Sequence, residues 1–181
     1  MKHSAFRLLV ASAWLAGFGC AHAHVVLAEP ASPAGTSYRA TFRVGHGCDG
    51  TATTAIKVNL PPGFQGAKPM PRPGWTLTTR VEKLDKPYES HGQVISQMVT
   101  EVNWIAASKD SWLPDAHYDE FVIRGTLPDE PGPIWFKVLQ TCEKGVSHWS
   151  DIPTEGTSTK GMKTPAVLLD VTRREKTAHQ H

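Results

Sequence analysis

In the stretch Tyr38-Arg39-Ala40-Thr41-Phe42-Arg43-Val44 every second residue is apolar, and this period of two restricts the fold more than any other feature. Successive side chains of an extended strand point to opposite faces, so Tyr38, Ala40, Phe42 and Val44 share one face and Arg39, Thr41 and Arg43 the other. Such a strand has to bury its apolar face against a partner layer. The same alternation places Ile56, Val58 and Leu60 inside, then Trp75, Leu77 and Val81, then Phe121, Ile123 and Leu127. Val94 to Trp104, Trp135 to Thr141 and Ala166 to Val171 complete the set. Turn signals such as Pro61-Pro62-Gly63, Arg72-Pro73-Gly74 and Pro131-Gly132-Pro133 separate the runs. Fourteen prolines and fifteen glycines are spread along the chain with no sustained spacing of three and four, which argues against a helical bundle. The pattern predicts an all-β, immunoglobulin-like antiparallel sandwich of about seven to eight strands, with loops at its ends left for function.

The first 23 residues read as a cleaved signal peptide. Lys2, His3 and Arg7 give a basic start, Leu8 to Phe18 a short apolar stretch, and Ala21 and Ala23 the small-residue cleavage positions. That stretch is shorter than the roughly 20 residues a membrane span needs, and no later segment is apolar enough to anchor the chain. A lipidated Cys20 is the rival reading, but Gly17-Phe18-Gly19 before it lacks the usual leucine. The expected location is therefore periplasmic or secreted, with no membrane anchor. Removing the signal takes Cys20 with it and leaves Cys48 and Cys142, which an oxidising compartment would join in one disulfide. Residues 24–172 have the length of one ordinary domain, and residues 173–181 form a polar tail expected to be disordered. A formal net charge of +2 points to neither nucleic acid nor an anionic membrane as partner.

Cleavage after Ala23 makes His24 the first residue. Its α-amine, with a reference pKa near 8, and its ring Nδ1 can grip one metal ion together. Two such nitrogens with a carboxylate or water favour tetragonal Cu(II), which also leads the divalent series in affinity. Zinc, the main competitor, prefers tetrahedral sites richer in His or Cys. His46, between two glycines beside the predicted disulfide, reads as structural, and His91 as a surface turn residue. Met70, Met98 and Met162 are too dispersed for a cuprous site.

His24-Val25-Val26-Leu27, Gly45-His46-Gly47-Cys48-Asp49-Gly50, Leu60-Pro61-Pro62-Gly63 and Pro73-Gly74-Trp75, followed by Asp115-Ala116-His117-Tyr118-Asp119-Glu120-Phe121 and His148-Trp149, occur in an order that resembles the YcnI-like (DUF1775) family of exported copper-binding domains. The resemblance runs from His24 to about Val171. It implies a β-sandwich with one Cu(II) per chain, held by His24 and a carboxylate beside a tryptophan, roles that fall on Asp115 and Trp149. Members often carry glutamate where this chain has Asp115, and His117, two residues on and on the same expected strand face, is a competitor or supplement.

Two functional classes follow. The first is a non-enzymatic periplasmic copper binder in copper homeostasis, exchanging Cu(II) with a membrane copper transporter or another periplasmic copper protein. The second is a copper oxidoreductase resembling lytic polysaccharide monooxygenases, with His117 as the second histidine of its brace. Tryptophans dispersed along strands rather than gathered in one loop favour the first.

Overall fold

The computed structural model describes residues 24–90 and 92–175; the predicted signal peptide, His91 and the tail from residue 176 lie outside the described residues. Among the described residues the strands are β1 (Val26–Leu27), β2 (Ala31–Pro33), β3 (Ser37–Val44), β4 (Thr53–Asn59), β5 (Gln65–Pro69), β6 (Trp75–Ser90), β7 (Gln93–Ala106), β8 (Asp119–Thr126), β9 (Gly132–Cys142), β10 (Val146–Trp149) and β11 (Val167–Thr172). Those of six residues or more are the main strands that the alternation predicts. The shorter β1, β2, β5 and β10 join them, too brief to announce themselves by a period. β2 and β5 also end in proline, which cannot donate to a ladder, and both lie at the outer end of a sheet.

The strands form two sheets in the orders β1-β3-β8-β5 and β2-β11-β9-β4-β7-β6, with β10 added to β9. β9 is long enough to serve two neighbours along one edge. Its first half pairs with β11, from Val167↔Phe136 to Val171↔Gly132, and its second half with β10, from Val146↔Thr141 to Trp149↔Val138. That register puts Trp149 close to the inward side chains of the second half of β9.

The inward faces are mostly those read from the sequence, although Thr41, read on the opposite face of β3, is buried as well. Tyr38, Ala40, Phe42, Val44, Ile56, Val58, Phe121 and Ile123 are all buried, while Arg39 and Arg43 are exposed. Edge-on aromatic pairs knit the two layers, Phe42 and Phe64 each meeting Phe136 at 5.3 and 5.4 Å and Trp75 meeting Phe121 at 5.2 Å. Gly125 leaves room for this packing, since a Cβ there would stand 2.5 Å from the Phe64 ring. Val81 departs from expectation: it is 52% exposed. A bulge between Arg80 and Val81 shifts the β6–β7 register, and pairing of β7 with β4 ends at Asn59↔Glu101, so among the described residues the hairpin beyond has no strand on its other edge.

Candidate functional site

β1 is only two residues long, yet it holds the start of the domain firmly. Val25 and Leu27 are buried, Leu27 lies opposite Phe42 of β3, and the Ala28 N–H donates to the Thr41 carbonyl at 2.9 Å. His24 immediately precedes this anchor and is half-buried. Its ring meets the indole of Trp149 edge-on, with centroids 5.4 Å apart and planes at 73°. Residues 125 positions apart in the chain are thereby brought into contact.

Trp149 is itself fixed from the other side. Its indole N–H donates to Gln140 Oε1 at 3.1 Å. Gln140 shares the inward face of β9 with Phe136, Val138 and Cys142 and is 1% exposed. Its Nε2 donates to the His46 carbonyl at 2.7 Å and to Thr53 Oγ1 at 2.8 Å. The sequence reading did not single out Gln140. The signal was nonetheless present, a polar residue at a parity where the alternation demands an apolar one.

The His46 loop carries the path onward. The Gly47 N–H donates to Asp115 Oδ1 at 2.8 Å. Only glycine fits there, because a Cβ would lie 1.6 Å from the Thr51 carbonyl oxygen. Asp49 and Gly50 then turn the chain with φ of 48° and 76°, the pattern of a type I′ turn, and bring Thr51 back opposite Cys48. Cys48 is bonded to Cys142 across 94 positions of chain, with an S–S distance of 2.04 Å, as the cysteine count predicts.

Asp115 and His117 do not lie on a strand. Leu113 is pinned to Thr53 by two backbone hydrogen bonds of 2.8 and 3.0 Å, and Pro114 then starts a turn closed by the His117 N–H on the Pro114 carbonyl at 2.9 Å. β8 begins only at Asp119, so the shared strand face expected for Asp115 and His117 is not formed. Asp115 is half-buried against Gly47, and His117 is exposed. Farther along, the Arg72 guanidinium grips both carboxylate oxygens of Asp119 and lies 5.1 Å from the Phe121 ring centre, and burial lowers its pKa. Tyr118 donates to Glu120, which raises the phenol pKa.

Among the described residues no three His, Cys, Asp or Glu side chains converge to hold a metal ion. What the structure brings together is the pair His24 and Trp149, and a hydrogen-bond path from that indole through Gln140 and residues 46–47 to Asp115. No helix among the described residues is long and apolar enough to cross a membrane. The disulfide is compatible with an extracytoplasmic location.

The chain resembles a solved structure described as an uncharacterized protein from Nocardia farcinica with an immunoglobulin-like fold. Identity is 27%, the TM-score is 0.62, and the match covers 82% of this chain and 97% of that one. A weaker likeness, with a TM-score of 0.37 and 9% identity over 87% of this chain and 97% of the other, is to the seventh ScaB type I cohesin from Pseudobacteroides cellulosolvens. No curated protein matches the chain. Residues 24–171 match the model of the domain of unknown function DUF1775, so the chain is a member of the DUF1775 family with an immunoglobulin-like β-sandwich fold.

Proposed function

We propose that the exported chain, cut before His24, binds one Cu(II) ion and exchanges it with a membrane copper transporter or another periplasmic copper protein. The observation that carries this reading is the edge-on contact of His24 with the buried Trp149. An N-terminal histidine supplies two nitrogens from one residue, so it needs no preformed cluster of side chains, and a rigid apolar wall beside it excludes water from one side of the ion. The family match over residues 24–171 begins at the residue that processing would expose.

The donors suit the metal. Amine and imidazole nitrogens with a carboxylate favour tetragonal Cu(II) over tetrahedral Zn(II). Asp115 is the carboxylate candidate: its Oδ1 accepts the Gly47 amide, which leaves Oδ2 as the oxygen for a cation. His117, exposed on the same turn, is the alternative donor. Bound copper would supply a redox-active cation as cargo. The protein's part is to chelate it, orient the His24 ring and wall off one side.

Calorimetry and electron paramagnetic resonance on two chains test the reading, one beginning at His24 and one with a methionine before it. The first is expected to bind one Cu(II) with nitrogen hyperfine structure. The second, whose amine has become an amide, is expected to lose at least a hundredfold in affinity, and equal affinities would overturn the N-terminal chelate.

A further inference from the structure

A primary amide buried in an apolar strand face is costly unless both its ends are bonded. Gln140 meets that condition fully. Both N–H donors are used, one on the His46 carbonyl and one on Thr53 Oγ1, and Oε1 accepts the Trp149 indole. Since an indole N–H can only donate, the oxygen must face Trp149, which fixes the amide in one orientation. A leucine would fill this position of β9 without any such requirement. The amide's contribution is therefore what it holds in register: β10 by way of Trp149, the His46-Gly47 loop, and the start of β4.

Those attachments reach both ends of the candidate site. On one side the held indole faces the His24 ring at 5.4 Å. On the other, fixing the His46 carbonyl fixes the plane of the peptide it shares with the Gly47 N–H, which donates to Asp115 at 2.8 Å. The disulfide at Cys48–Cys142 closes the same loop onto the same strand two residues beyond Gln140. We infer that Gln140 is a positioning residue that sets the Trp149 wall and the Asp115 carboxylate in a single mutual arrangement. In this respect the inference deepens the copper reading and rests on it for its functional meaning, while the coupling itself exists without metal.

Two variants separate positioning from bulk stability. Gln140→Leu removes all three hydrogen bonds. Gln140→Glu, as the carboxylate, keeps an acceptor for the indole but no donor for the His46 carbonyl. In metal-free protein, nuclear magnetic resonance is expected to show the Trp149 indole N–H and the Gly47 amide both displaced in the Leu variant, but only the Gly47 amide strongly displaced in the Glu variant. The Trp104 indole, bonded to the Met70 carbonyl, should stay in place in both. With Cu(II), the Leu variant is expected to bind at least tenfold more weakly than the parent.

Unchanged Trp149 and Gly47 resonances in the Leu variant, or displacement of Trp104 as large as that of Trp149, would overturn the inference. Parent-like copper affinity in that variant would overturn its functional part. Should the parent bind no Cu(II), the copper reading fails while the metal-free resonances still decide the coupling. If the Leu variant does not fold, the Glu variant and hydrogen exchange in the parent decide it: the Trp149 indole N–H should exchange more than tenfold more slowly than that of half-exposed Trp112, and equal rates would reject a held indole.

Discussion

Trp104 and Trp149 are both buried, both donate an indole N–H, and both pack edge-on against another ring, yet their partners differ in kind. Trp104 donates to the Met70 carbonyl at 3.0 Å and meets Phe121 at 5.5 Å, so its surroundings are backbone and hydrocarbon. Trp149 donates to the side chain of Gln140 and meets the imidazole of His24. The first set of partners changes only if the fold changes. The second includes an imidazole next to the start of the domain and an amide bonded to two further segments, so Trp149 links parts of the chain that Trp104 does not touch. A buried tryptophan in a sandwich is ordinarily part of the interior, and it is the nature of its partners that separates these two.

The comparison breaks most readily at Trp104. Trp104→Ala is expected to cost about 3 to 5 kcal/mol of stability in urea unfolding, while the folded fraction keeps parent-like Cu(II) affinity; a large affinity loss would show that the two regions are not separate. Replacing Cys48 and Cys142 together by alanine is expected to cost about 4.7 kcal/mol in the chain-entropy model. Unlike the change at Trp104, it should also free the Gly47 amide from Asp115, visible as faster hydrogen exchange at that amide.

A third test reads the strand that anchors His24. The Tyr38 hydroxyl donates to the Glu29 carbonyl at 2.6 Å, and burial, then the charge of Glu29, raises its pKa to about 12. Between the ordinary tyrosine value of about 10 and about 12 the folded chain keeps a proton that the unfolded chain has lost, so stability is full below that window and falls as pH rises through it. The loss is on the order of 2 kcal/mol. Tyr38→Phe should abolish this alkaline component, and an unchanged pH profile would show that another group is responsible.

The smallest expected effect on stability is at Trp149. Trp149→Phe keeps the apolar bulk but leaves Gln140 Oε1 without its donor, a cost of about 1 to 2 kcal/mol. The same change should remove most of the Cu(II) quenching of the emission. Quenching as full as in the parent would place the metal elsewhere and make Trp149 equivalent to Trp104.

Much of the fold is legible in single strands. The alternation over Tyr38 to Val44 identifies the buried face of β3 because the side-chain period of an extended chain is a local property. Val81 departs from its parity for the complementary reason. Its parity is inward, but whether anything covers that face depends on how far β4 extends beside β7. The spacing of two between Asp115 and His117 fits a strand and a turn equally, and the turn is set by the bridge from Leu113 to Thr53 before Pro114, which joins residues far apart in sequence.

The sequence by itself determined the β class, most inward residues of the long strands and the pairing of the two cysteines within the domain. Each follows from local periodicity or from a count that leaves one partner. Only the tertiary structure decided that Trp149 meets His24, that Gln140 joins that indole to the Gly47–Asp115 loop, and that His117 faces solvent. Those facts depend on β9 lending one edge to both β11 and β10, and on the register of that pairing. Register between distant segments is set by the packing of the whole sandwich, and no local pattern carries it.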